Sequence, residues 1–180
     1  PVHVVLALDR SDSVKGEALA ELKTAAARLV KSLGPDDRVS FLTFADQVDL
    51  WLSADRDHER LLAAIDEARG SGTTALYDAI YNLCREKLAR EHSDRPVRKA
   101  VILLSDGEDN QSEHSRAQAV EMAQRAEVII YAISTDDSGL VLRGDKILQQ
   151  LADATGGRAF FPYKMKDITR SFAAIEDELR

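Results

Sequence analysis

Val2-His3-Val4-Val5-Leu6-Ala7-Leu8-Asp9-Arg10-Ser11-Asp12-Ser13 is the stretch on which the fold turns. From Val2 to Leu8 the residues are almost all apolar, over a strand's length, and Asp9 ends the run. Continuous apolarity, rather than strict alternation, marks a strand buried on both faces, as in a parallel sheet. Ser13 to Leu33 follows, with Leu19, Leu22, Ala26, Leu29, Val30 and Leu33 at 3- and 4-residue steps, and Gly34-Pro35 stops this helix. Strand then helix is the first half of a βαβ unit.

Working outward, Arg38 to Phe44 and Val48 to Leu52 read as strands joined by the hairpin-length Ala45-Asp46-Gln47. Helices are predicted over Asp57 to Arg69, closed by Gly70-Ser71-Gly72, and over Ala75 to Arg90. Arg95 to Lys99 is a polar lead-in to the strand Ala100 to Ser105. Then come the helix Ser115 to Arg125, the strand Glu127 to Ile133, a loop from Ser134 to Arg143, and the helix Lys146 to Thr155. A short strand, Ala159 to Phe161, and a final helix, Ile168 to Leu179, complete the chain. Strands alternating with helices imply right-handed crossovers and an α/β fold: a doubly wound, mostly parallel central sheet with helices on both faces. The short hairpin requires one antiparallel strand, placed at an edge.

The 180 residues suit a single domain, 1–180, with 44% hydrophobic and 31% charged residues, so disorder is excluded. A formal net charge of −7 and a pI near 5.1 argue against nucleic acid and anionic membrane as partners. The longest apolar runs are strand-sized and none could insert in a bilayer. The single Cys84 excludes an internal disulfide and, at helical spacing with Ile80, Tyr81 and Leu88, reads as a buried thiol. The chain opens at Pro1 directly into a strand, as an excised domain or a processed product does.

In doubly wound sheets ligands sit beyond the carboxyl ends of the strands, where the topology reverses. Three segments bring oxygen to that edge: Asp9, Ser11 and Ser13 at alternate positions, the loop Gly70-Ser71-Gly72-Thr73-Thr74, and Leu104-Ser105-Asp106-Gly107-Glu108. Two carboxylates and three hydroxyls suit a hard divalent cation, which takes oxygen ligands. Single hydroxyls have a simpler reading: Ser13 as the N-cap of the first helix and Thr74 as that of the third.

Asp9-x-Ser11-x-Ser13, then Gly72-Thr73-Thr74-Ala75-Leu76-Tyr77-Asp78-Ala79-Ile80, then Leu104-Ser105-Asp106-Gly107-Glu108 resemble, in order and spacing, the signature of von Willebrand factor type A domains. The flavour is that of bacterial members, where a Thr-Ala-Leu-Tyr-Asp-Ala string recurs. The resemblance implies a Rossmann-like fold and a metal-ion-dependent adhesion site (MIDAS). Ser11, Ser13 and Thr74 match its hydroxyl ligands, and Asp9 and Asp106 match carboxylates that bind directly or through water. Thr74 is preferred because the family's metal threonine stands five residues before the small residue matching Ala79; Thr73 is the alternative. The implied ion is Mg²⁺, with Mn²⁺ or Ca²⁺ as substitutes, and the implied partner is a protein presenting Asp or Glu to the metal. Asp12 stands where the family commonly has Gly and adds negative charge beside the site, while Arg10 offsets it. Family behaviour further implies movement of the last helix, Ile168 to Arg180, and an extracytoplasmic setting.

These expectations describe a metal-dependent interaction module and not an enzyme. One alternative is a Mg²⁺-dependent phosphohydrolase, but the second carboxylate that one such class needs is replaced by Ser11. Another is a structural module with a vestigial metal site and contacts elsewhere, for which Trp51 and Leu52 on the hairpin offer a surface. A phosphate loop lacks its Lys, a zinc site lacks clustered His or Cys, and no Gly-x-Ser-x-Gly elbow is present. Arg143-Gly144-Asp145 spells an adhesion tripeptide, read here as chance, with the glycine serving a turn before the next helix.

Overall fold

A computed structural model of the protein describes residues 1–10, 17–55, 57–68, 73–136, 138–164 and 167–180. In chain order the elements are β1 (Val2–Asp9), α1 (Glu17–Ser32), β2 (Arg38–Phe44), β3 (Val48–Asp55), α2 (His58–Glu67) and α3 (Leu76–Asn82). They continue as β4 (Arg98–Ser105), α4 (Arg116–Arg125), β5 (Val128–Ser134), α5 (Arg143–Thr155), β6 (Ala159–Phe160) and α6 (Ile168–Leu179). The sheet order is β3-β2-β1-β4-β5-β6. Every neighbouring pair is parallel except the β2–β3 hairpin, which puts the antiparallel strand at the edge.

All eight residues of β1 are buried, because helices cover both faces of the sheet. Alternation divides them: Val4, Leu6 and Leu8 pack with α1, α2 and α6, whereas Val5 and Ala7 pack with α3, α4 and α5. The chain leaves β1 toward β2 and later crosses to β4 on the other side. The topology therefore reverses between β1 and β4, whose carboxyl ends mark the switch point. Among the described residues no helix is long and apolar enough to cross a membrane.

Several boundaries differ from the sequence reading, four of them for a physical reason that the contacts show. The helix expected over Ala75 to Arg90 is α3 followed by a π-helical stretch, Leu83–Leu88. Its wider i→i+5 spacing brings Leu83 and Leu88 onto one buried face beside Cys84. β4 begins at Arg98 because its charged start has partners: the Arg98 guanidinium donates to the Glu178 and Leu179 carbonyls, and Lys99 Nζ to the Leu88 carbonyl. β3 runs on to Asp55, which pairs with Val39 past a register shift. α5 starts at Arg143, not Lys146, with the Asp145 carboxylate accepting from the Leu142 N–H at 3.1 Å.

Candidate functional site

β1 and β4 run parallel with Leu8 opposite Leu104, so Asp9 arrives level with Ser105, and Asp106 stands one step beyond. Ser105 Oγ donates to Asp9 Oδ2 at 2.7 Å and accepts from the Gly107 N–H at 3.0 Å. Asp9 is 0% exposed, a carboxylate held inside the molecule by this chain of bonds. Asp106 is half-buried, with Oδ1 accepting from the Glu108 N–H at 3.0 Å. The turn between them needs glycine. Gly107 has φ 77°, and a Cβ there would lie 2.2 Å from the Gly144 carbonyl oxygen. Gly144 packs reciprocally: a Cβ on it would lie 1.9 Å from the Asp106 carbonyl oxygen. It therefore belongs to the first turn of α5, seated on the Asp106 loop, and not to a turn ahead of the helix.

The Thr74 segment reaches the same edge. The Arg10 N–H donates to the Phe44 carbonyl at 2.9 Å, and the Ala75 N–H to the next carbonyl, that of Ala45, at 2.7 Å. The end of β2 thus holds the segment after β1 on one side and the segment before α3 on the other. Thr74 is 5% exposed, whereas Thr73 is exposed. The structure brings Asp9, Thr74 and Asp106 to one sheet edge. Ser11 and Ser13, with Asp12 and Gly72, lie outside the described residues.

Thr74 is not the cap of α3. The N-cap position is Ala75, which makes no side-chain cap bond, and the helix's first N–H groups find acceptors on the β4–α4 segment. The Tyr77 N–H donates to Asp109 Oδ2 at 2.8 Å and the Asp78 N–H to Ser112 Oγ at 3.0 Å. Asn110 binds Thr74 twice, its Oδ1 accepting the Thr74 N–H and its own N–H donating to the Thr74 carbonyl, both at 3.1 Å. Sequence reasoning gave Ser105, Asp109, Asn110 and Ser112 no role; the signal was the density of side-chain oxygen from Ser105 to Ser112.

Behind this edge, Asp78 locks α3 to the start of α4. Its carboxylate accepts from the Glu113 and His114 N–H groups, and His114 Nδ1 lies 2.6 Å from Oδ1. The His114 ring stacks on Tyr81 at 3.8 Å. Burial pushes the Asp78 carboxyl up, but the two N–H donors and the His114 ring outweigh it and hold it below its ordinary 3.8. The Tyr77 hydroxyl is pushed up by burial and by the Asp109 carboxylate, against the pull of Arg116 and Arg143.

Two other features involve neither Asp9, Thr74 nor Asp106. A groove of about 540 Å³ runs between the β5–α5 loop and the chain after β6, lined by exposed Leu140, Val141, Phe161 and Tyr163. Asp145 forms part of its wall and is buried, accepting from Ser134 Oγ at 2.7 Å, so Arg143-Gly144-Asp145 is not displayed as a tripeptide. At the opposite edge of the sheet, His3 lies 2.8 Å from Ser40 Oγ and 2.7 Å from Glu91 Oε2. Ser40 is fully buried, so this chain ties strand ends together and presents no nucleophile. The Trp51 side chain lies outside the described residues.

The uncharacterized protein sll0103 of Synechocystis sp. is 29% identical over 118 residues, covering 64% of this chain and 27% of its own length. Against the curated relatives it matches, the chain spans between 19% and 60% of their length. Among solved structures, an aerotolerance-related membrane protein from Bacteroides fragilis superposes with a TM-score of 0.76 at 16% identity, over 99% of this chain and 100% of its own. Proximal thread matrix protein 1 from the mussel byssus, in a form with a zinc-occupied MIDAS motif, gives 0.77 at 17% identity, over 98% of this chain and 47% of its own. These structural likenesses show the fold. The family model of the von Willebrand factor type A domain matches residues 3–177, and the chain belongs to that family.

Proposed function

We propose that this domain is a protein-interaction module that holds a divalent cation at the carboxyl ends of β1 and β4. Asp9, Ser11, Ser13, Thr74 and Asp106 are its ligands, directly or through water. The single observation carrying this reading is that a wholly buried carboxylate, Asp9, and the buried Thr74 come to the same edge of the sheet as Asp106. A wholly buried carboxylate is costly to hold inside a protein, and a cation beside it offsets that cost.

The donor set fits a hard ion. Every candidate ligand is an oxygen, and among the described residues no three His, Cys, Asp or Glu side chains gather into a group that could hold a metal. Two carboxylates with hydroxyls therefore favour Mg²⁺, with Mn²⁺ as a close substitute, over an all-carboxylate or thiolate–imidazole site. The zinc in the mussel protein's MIDAS motif supports a divalent ion on this fold. When bound, the ion supplies a Lewis-acidic position for a partner's Asp or Glu carboxylate. The protein's own residues do the remainder: Ser105 fixes the orientation of Asp9, Gly107 lets the Asp106 loop turn, and Thr74 offers a hydroxyl that adds no charge. Leaving the ion under-neutralised is what makes it bind a partner's carboxylate.

Isothermal titration of Mn²⁺ into the wild type, Thr74→Ala and Asp106→Ala tests this. Saturable one-to-one binding, weakened at least tenfold in each variant, is expected. Equal binding by all three would overturn it.

A further inference from the structure

We infer that Asn110 is the positioning residue that holds the Thr74 hydroxyl in register with Asp106. This rests on the metal-centre reading above and deepens it. The proposed ligands come from three separate segments of chain, and a metal site tolerates little error in ligand placement, so something must hold the segments to one another. β1 and β4 are held by their ladder and by the Ser105–Asp9 bond. Thr74 lies on no strand: only the bond from the next residue, the Ala75 N–H to the Ala45 carbonyl, ties its segment to the sheet, and it precedes α3, a seven-residue helix without a side-chain cap of its own.

The support comes from the segment after β4, which also carries Asp106. Four residues beyond Asp106, Asn110 accepts the Thr74 N–H on its side-chain oxygen and donates its own N–H to the Thr74 carbonyl, both at 3.1 Å. Both backbone groups of Thr74 are thereby fixed by one residue, which leaves the hydroxyl as the part that meets a ligand. Helix capping does not account for this. Asp109 and Ser112 already receive the N–H groups of Tyr77 and Asp78 inside the helix, whereas Asn110 bonds a residue ahead of it. Displacement of the Asp106 segment is therefore passed to Thr74.

The test separates positioning from stability. Mn²⁺ affinity and the urea midpoint in EDTA are measured for the wild type, Asn110→Ala and Ser112→Ala. Asn110→Ala should weaken Mn²⁺ binding at least tenfold, while Ser112→Ala, which removes a cap, should lower the urea midpoint and leave Mn²⁺ affinity within twofold. Hydrogen exchange of the wild type by NMR gives a readout that needs no variant to fold: Mg²⁺ should slow the Thr74 and Asn110 amides together. Mn²⁺ binding by Asn110→Ala within twofold of wild type, or slowing at Thr74 without Asn110, would overturn the inference alone. A wild type that binds no Mn²⁺ would overturn it together with the metal-centre reading.

Discussion

Cys84 and Asp78 sit on the same run of helix, and burial pushes both up, but hydrogen bonds reverse the outcome at Asp78. Burial pushes the Cys84 thiol up to about 12, against a smaller opposing pull from the Lys99 ammonium. The thiolate is the reactive form, so native protein at pH 8 should be inert to a thiol-specific disulfide reagent and react fully in denaturant. Rapid reaction of the folded protein would contradict that. Asp78 is instead held below 3.8, so its carboxylate contributes stability that is fully present above the unfolded value and lost as pH falls through the lower folded value. Asp78→Asn should cost about 1–2 kcal/mol at neutral pH, where the charged acceptor for two N–H groups is lost. Urea denaturation should show that deficit shrinking as the pH falls below the unfolded value and through the lower folded one. Asp9 and Asp106 were legible in the sequence, because a carboxylate ending an apolar run stands at a strand's end. Ser105 and Asn110 were not, since their partners are 96 and 36 residues away and are set by strand register and loop packing.

At the scale of elements, the alternation of strands and helices was legible throughout because apolar periodicity depends only on near neighbours. What escaped was any boundary decided by a distant contact. The π-helical stretch follows from packing Leu83, Cys84 and Leu88 together, and the early start of α5 from Gly144 pressed against the Asp106 loop. That contact makes a sharp prediction. Gly107→Ala places a Cβ both in the left-handed region and within 2.2 Å of a backbone oxygen, so it should destabilise the domain by roughly 2–4 kcal/mol. Thermal or urea denaturation would read this, and a loss under about 0.5 kcal/mol would mean the two loops do not pack as described.

For the whole molecule, the doubly wound arrangement followed from the order of elements, while the strand order placing β1 between β2 and β4 came from the structure. The core is divided by the sheet, with β1 contributing to both halves. Leu6 is almost fully enclosed on one side, and Leu6→Ala should cost about 2–5 kcal/mol by leaving a cavity that the sheet cannot close, as measured by urea denaturation. In the proposed metal centre, the complete burial of Asp9 at the end of β1 links cation binding to stability. The most direct measurement of that link is the melting temperature of the wild type and of Asp106→Ala, each in EDTA and in millimolar Mg²⁺ or Mn²⁺. At ~100 times the dissociation constant a cation adds about 2.7 kcal/mol, a rise of roughly 5–10 °C for a domain of this size. Such a rise in the wild type, absent in Asp106→Ala, is the predicted result; identical melting of the wild type with and without the ion would contradict a metal centre at this edge.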